Sequence, residues 1–267
     1  MPLHLSPSFR EQLGASDRSL IGMWACSGSP LVTEVAAGSG LDWLLIDMEH
    51  SANTLESTLL QLQVVAAYPI APVVRVPSND TVAIKQVLDL GAQNIIVPMV
   101  SSVDGARAAV AATRYPPEGV RGVGSALARS ARWNRVDGYL QDSARHTSLT
   151  VQIETTAGVE AAAGIASVAG VDAVFVGPSD LSASMGLLGQ QRHPEVVAAV
   201  ERVFAAVRSA GVPVGVNAFD PAAADSYIAA GADFVAVGAD VAMLARASEA
   251  LAARFIPASD DTSRASY

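Results

Sequence analysis

Cysteine is nearly absent: Cys26 is the single one among 267 residues, so no internal disulfide can brace the fold. It lies in a Gly/Ser-rich turn without an adjacent base, which reads as a small buried filler rather than a nucleophile. Charge is also scarce. Only 16% of residues are charged, with 17 Lys and Arg against 26 Asp and Glu for a formal net charge of -9. No basic stripe is available to release counterions from phosphates, so nucleic acid is excluded as a partner. Lys85 is the only lysine and falls in a predicted helix, so no Schiff-base lysine follows a strand end. An apolar span of about 20 residues is missing, as is an apolar leader, and a cytoplasmic protein without membrane contact is expected. Neither a dinucleotide-binding glycine fingerprint after the first strand nor a nucleotide P-loop occurs.

What the chain does have is aliphatic bulk: 51% of it is hydrophobic, enough for one large core over residues 1–267, with the folded body at about 20–255. Met1 to Ser19 reads as a polar lead-in with one weak helical turn, and Pro257 onward as a polar, frayed tail. Strands are expected at Ile21–Ala25, Asp42–Asp47, Ala71–Arg75, Asn94–Val97, Leu149–Ile153, Asp172–Val176, Val212–Val216 and Asp233–Val237. Helices fill the intervals, opening at Pro30, Leu55, Asp80, Gly158, His193-Pro194, Asp220-Pro221 and Asp240. Roughly eight strands alternating with roughly eight helices predict an α/β fold, a (β/α)8 TIM barrel, with a doubly wound open sheet as the runner-up. The rhythm breaks before the fifth strand. Pro116 to Thr147 is a long Gly-, Arg- and Ser-rich polar insertion, read as a functional lid or an interface loop.

The residues able to do chemistry follow strand ends: Trp24, His50, Arg75, Gln152, Glu154, Asp180 and Asn217. In a barrel these converge on the carboxyl-terminal mouth. Glu154 and Asp180 read as a metal pair, the alternatives being a helix cap and a solvated turn residue. Two carboxylates with open positions suit Mg, Mn or Co, and zinc is a further candidate. A cation beside an arginine suggests a bidentate 2-oxo acid as substrate. Arg75 would support the ketone oxygen as it becomes an enolate, and His50 would handle the proton. The Gly177-Pro178-Ser179 turn can aim backbone N–H groups at a substrate carboxylate. His193 reads as a helix-start residue and His146 as part of the insertion, with no chemistry assigned to either.

Asp47-x-Glu49-His50, Pro72-Val73-Val74-Arg75, Gln152-Ile153-Glu154-Thr155 and Gly177-Pro178-Ser179-Asp180-Leu181-Ser182 together resemble the HpcH/HpaI family of class II pyruvate aldolases. The resemblance runs from about Ile21 to Phe255. It includes Arg114-Tyr115-Pro116-Pro117, Arg121-Gly122-Val123-Gly124, Arg132-Trp133-Asn134-Arg135 and Val235-Ala236-Val237-Gly238. It implies reversible cleavage of 4-hydroxy-2-oxo acids into pyruvate, or hydroxypyruvate, and an aldehyde through a metal-bound enolate. By the same resemblance, Glu154 and Asp180 hold a divalent metal, Arg75 stabilises the enolate, and His50 accepts a proton with its basicity raised by Asp89. Gln152 and the backbone of Ser179 would contact the pyruvate portion, and the assembly would be a homo-hexamer of paired trimers. Asn217 and Ser179 depart from the family member compared, which is apolar and alanine at those positions; Asn217 is expected to act on the choice of aldehyde. Asp89 is expected near the wrong end of its own barrel, so it would reach His50 only across a subunit interface, with Asp47 as the intrasubunit alternative. An oxaloacetate decarboxylase or other enolate-forming lyase is the nearest competing enzyme, and a non-enzymatic acid-binding protein a remoter one.

Overall fold

Short aliphatic runs, each closed by a turn and followed by a capped helix, generate the architecture. In the computed structural model, which describes residues 3–256, the strands are β1 (Leu20–Ala25), β2 (Trp43–Asp47), β3 (Ala71–Arg75), β4 (Asn94–Val97), β5 (Ser148–Ile153), β6 (Ala173–Val176), β7 (Val214–Asn217) and β8 (Phe234–Ala239). The helices are α1 (Phe9–Ala15), α2 (Pro30–Ala37), α3 (Leu55–Val65), α4 (Thr81–Asp89), α5 (Val103–Thr113), α6 (Tyr139–His146), α7 (Thr156–Ala166), α8 (Pro178–Ser184), α9 (Pro194–Ser209), α10 (Pro221–Ala229) and α11 (Asp240–Phe255). Strands pair in parallel in sequence order, and β8 closes on β1, giving the expected (β/α)8 barrel. Ser29, Thr54, Asp80, Ser102, Thr155 and Asp220 each accept a backbone N–H in the first turn of the following helix, so these loops start their helices at fixed points.

The two-residue period of a strand sorts side chains into two cores. Leu44, Ile46, Val74, Val151, Ile153, Val174 and Val176 face outward and pack under the helices. Leu20, Trp24, Trp43, Leu45, Val73, Phe175 and Phe234 fill the barrel interior. Two glycines make room for that aromatic filling. A Cβ on Gly22 would come within 2.4 Å of the Trp43 ring, and one on Gly215 within 2.5 Å of Phe234. Continuing the inward register to the strand ends places Asp47, Arg75, Gln152 and Asn217 on top of this aromatic column.

Three expectations are corrected here. The lead-in holds a full capped helix, α1, whose fully buried Phe9 plugs the barrel floor with ring centroids 5.6 Å from Trp43 and 5.3 Å from Phe234. Asn94 ties it down by accepting from Phe9 N at 2.7 Å. The residues after β6, read as a loop, form α8, which starts at Pro178. The insertion does not lid the mouth of its own barrel. It leaves the end of α5 and enters the start of β5, on the amino-terminal face, where Arg129 donates to the carbonyls of Leu90 and Leu62. The tail from Pro257 onward lies outside the described residues. No described helix is long and apolar enough to cross a membrane.

Candidate active site

At the carboxyl-terminal mouth, Trp24, Asp47, His50, Arg75, Gln152, Phe175, Gly177, Pro178, Ser179, Asp180 and Asn217 line one cleft. Phe175 and Trp24 form its floor, edge to face with ring centroids 6.4 Å apart. Arg75 lies over Trp24, its guanidinium carbon 4.2 Å from the ring centroid. Only 4% of this arginine is exposed, and such burial requires a partner. Asp47 provides it, accepting from Nε at 2.8 Å and Nη2 at 2.9 Å. That bidentate grip fixes the plane of the fork and leaves Nη1 as the nitrogen not held by Asp47. Nη1 sits 2.9 Å from Glu49 Oε2, off the line of a hydrogen bond. Asp47 also accepts from the backbone N–H groups of Glu49 and His50, so one buried carboxylate orients both the arginine and the loop after β2.

Negative charge outweighs positive around Glu154. Burial pushes its carboxyl up to about 7, and the neighbouring Glu49 and Asp180 push the same way against Met99 N–H and Arg75. Burial likewise raises Glu49, with Asp180 and Asp47 adding to it. Glu154 Oε1 accepts from Met99 N at 2.7 Å, and Oε2 from Gln152 Nε2 at 2.5 Å. Met99 adopts φ 57 to make that contact, a left-handed conformation uncommon for a side chain of its size. A Cβ on Gly177 would fall 2.7 Å from Glu154 Oε2, so glycine there keeps space beside the carboxylate. All-oxygen donors with uncompensated charge fit a hard divalent cation. Among the described residues no group of three or more His, Cys, Asp or Glu side chains is placed to hold a metal ion. Thr155, not Glu154, caps α7, so the helix-cap alternative for Glu154 is set aside.

Comparison with known proteins identifies the setting. The HpcH/HpaI aldolase/citrate lyase family matches residues 20–247. A 4-hydroxy-2-oxo-heptane-1,7-dioate aldolase of Shigella sonnei is 52% identical over 248 residues, covering 93% of this chain and 94% of the relative. The chain belongs to the HpcH/HpaI aldolase/citrate lyase family. A solved HpcH/HpaI aldolase/citrate lyase family protein from Burkholderia cenocepacia superposes with TM-score 0.89 at 41% identity, over 93% of this chain and 99% of the other. The citrate synthase SbnG superposes with TM-score 0.82 at 30% identity, over 92% and 96%.

Most of the expected residues therefore meet in one cleft of an HpcH/HpaI family member, and Asp89 does not. It sits at the end of α4, bonded to the buried Arg121 at 2.7 Å, in a separate groove lined by Leu55, Leu59, Leu127, Arg129 and Trp133. His50 is exposed, and its nearest acidic neighbour is Glu49, with Nε2 3.9 Å from Oε1. The intrasubunit alternative is not realised either, because Asp47 meets the backbone of His50 and not its ring. Cys26 is half-buried and lines the same cleft instead of filling the core, and burial, with Asp47 and Asp240, pushes its thiol up to about 12. His193 caps α9 and His146 stacks on Tyr139. Glu49 and the Met99 N–H were not singled out from the sequence. Glu49 stands inside the Asp47-x-Glu49-His50 signature, which could have marked it, whereas nothing in the sequence signals a backbone donor.

Proposed function

We propose that this chain is a divalent-metal-dependent class II aldolase that reversibly cleaves 4-hydroxy-2-oxo acids into pyruvate, or hydroxypyruvate, and an aldehyde. Its class, a carbon–carbon lyase of the aldolase type, follows from family membership and from aldolase relatives at about half identity along 93% of the chain. The observation that carries the detailed reading is Arg75: a buried guanidinium locked by Asp47 through two nitrogens, with a third beside the acidic group of Glu49, Glu154 and Asp180. A donor held rigidly before the reaction stabilises charge that develops only in the transition state.

In the cleavage direction the ring of His50 takes the proton of the C4 hydroxyl, and the C4 oxygen becomes the aldehyde carbonyl as the C3–C4 bond breaks. The bond's electron pair moves through C3 and C2 onto the ketone oxygen, where Arg75 Nη1 meets the new enolate charge. C3 then takes back a proton to give the released 2-oxo acid. Gln152 and the Ser179 N–H hold the oxo-acid end, and Glu154 with Asp180 would hold the metal, which is Mg, Mn, Co or Zn. When bound there, such a cation would supply Lewis-acid chemistry to the substrate oxygens.

The reading includes a homo-hexamer of paired trimers in which Asp89 orients the His50 of a neighbouring copy. Support comes from helix α11, which exposes Val241, Leu244, Leu251 and Phe255 at helical spacing, and from the groove at Asp89, whose Leu127 and Trp133 stand open. Pyruvate release from a racemic 4-hydroxy-2-oxo acid tests the activity. Release should stop in EDTA and return with excess Mg, Mn or Co; undiminished release in EDTA, or none with any cation, would overturn the proposal.

A further inference from the structure

His50 is the proton acceptor of the aldolase reading, yet nothing holds its ring. The side chain is 64% exposed, and no hydrogen bond reaches either ring nitrogen among the described residues. Its place over the cleft is therefore fixed through the backbone of the turn that joins β2 to α3. At the front of that turn, Asp47 accepts from the N–H groups of Glu49 and His50. Asn53 closes the turn from behind.

The Asn53 side chain is buried, and both ends of its carboxamide are bonded. Nδ2 donates to the carbonyl of Asp47 at 2.7 Å and to that of Ala25 at 2.9 Å. Carbonyls only accept, so this end must be the amide nitrogen. The last register pair between β1 and β2 is Ala25 with Ile46, and the carboxamide joins the two strands just beyond it. Its Oδ1 accepts from Ser57 Oγ at 3.2 Å and from Gln61 Nε2, both on α3. Gln61 is fully buried, and its Oε1 accepts from Thr33 Oγ1 of α2 at 2.8 Å. The Ser51 hydroxyl completes the turn, donating to the Asp47 carbonyl and accepting from Asn53 N at 3.1 Å. The turn that carries Glu49 and His50 is thus pinned to β1, α2 and α3 at once.

Helix capping does not account for this arrangement. Thr54 and Ser57 cap α3 by themselves, and the amide end of Asn53 bonds the strand ends and not the helix. A buried network with its members bonded to one another holds one conformation, because any break leaves a buried polar group without a partner.

Resting on the aldolase reading, we propose that Asn53 is a positioning residue for catalysis. Gln61 fixes its orientation, and together they set where His50 meets the C4 hydroxyl of the substrate. A misplacement of about 1 Å costs about 10²-fold in rate, so the network acts on kcat and not on substrate binding.

Oxaloacetate supplies an internal standard. Its decarboxylation breaks the C3–C4 bond, releases C4 as CO2 and leaves the electron pair in the same enolate, which then takes a proton at C3; there is no C4 hydroxyl to deprotonate. The test measures kcat and KM of the Mg-loaded protein for cleavage of racemic 4-hydroxy-2-oxopentanoate and for decarboxylation of oxaloacetate. It compares the wild type with Asn53→Asp, Gln61→Met, His50→Ala and the double variant Asn53→Asp/His50→Ala, each checked for folding by its thermal midpoint. Asn53→Asp keeps the shape and the Oδ1 acceptor but turns an oxygen toward two carbonyls, and Gln61→Met leaves Asn53 in place but frees its carboxamide. Both should lower kcat for cleavage about 10- to 100-fold, while KM and decarboxylation stay within about threefold. The double variant should cleave no more slowly than His50→Ala, since Asn53 acts only through that ring. If Asn53→Asp does not fold, Gln61→Met decides by the same criteria. Equal losses in both reactions, additive losses in the double variant, or full cleavage in both single variants overturn the inference and leave the aldolase reading intact. A wild type that cleaves nothing, or a His50→Ala protein that cleaves as fast as the wild type, overturns that reading and the inference with it.

Discussion

Glu154→Gln gives a stability signature that separates a cation-binding carboxylate from an ordinary buried one. Glu154 is 2% exposed, and its carboxyl is pushed from 4.5 up to about 7, first by burial and then by Glu49 and Asp180. Between those two values the folded protein binds a proton that the unfolded chain has released. Without metal, the contribution is fully present below pH 4.5 and lost as pH rises through 7. At about 1.4 kcal/mol per tenfold in proton affinity, the loss is about 3 kcal/mol. Glutamine cannot ionise, so the variant escapes it. The Met99 N–H can still donate to the amide oxygen, and any disturbance of the Gln152 contact is independent of pH and cancels between conditions. Urea unfolding in EDTA at pH 5 and pH 8 should therefore show the variant gaining on the wild type by about 3 kcal/mol as pH rises. Adding a divalent cation at pH 8 should stabilise the wild type and leave the variant unmoved. Stability differences that stay parallel across this pH range would refute the argument that Glu154 is an uncompensated charge awaiting a cation.

Arg75→Lys should fold, because Asp47 retains a cationic partner, yet lose about 2.7–4 kcal/mol of transition-state stabilisation in kcat, since an ammonium cannot satisfy Asp47 and the enolate oxygen from fixed positions; an unchanged kcat would reassign Arg75 to structure. Gly177→Ala places a Cβ 2.7 Å from Glu154 Oε2, so metal affinity measured by titration should fall at least tenfold, and an unaltered affinity would show that the carboxylate can move aside. Mixing inactive Asp89→Asn subunits with inactive His50→Ala subunits should restore part of the activity, because mixed oligomers regenerate some intact His50–Asp89 pairs. No recovery after confirmed subunit exchange would end the intersubunit pairing.

What could be read from the sequence was local. The ranges Ala71–Arg75 and Asn94–Val97 match β3 and β4, because a continuous aliphatic run bounded by polar turns specifies a buried parallel strand by itself. The mouth residues were legible for the same reason: the carboxyl end of a barrel strand fixes which face a side chain joins. Contacts between distant segments were not legible. Trp24 and Asn217 bond across a sequence separation of 193, and no local pattern announces it. Asp47 was seen as a strand-end carboxylate, but its bidentate hold on Arg75 depends on the register between β2 and β3. Helix α8 was missed because Gly177-Pro178-Ser179 carries turn chemistry, although proline is also the residue favoured in a first helical turn. The insertion's polarity suggested a lid, yet a segment joining a helix end to a strand start must emerge on the face opposite the mouth.

The central claim is that this cleft turns a 2-oxo acid into an enolate with the help of a divalent cation and Arg75. Exchange of the pyruvate methyl protons for deuterium in D2O, followed by proton NMR with no aldehyde present, isolates that step from acceptor binding. The account requires exchange that depends on Mg, Mn or Co, disappears in EDTA and falls sharply in Arg75→Lys. Exchange that persists in EDTA, or that is absent while aldol cleavage proceeds, would contradict it.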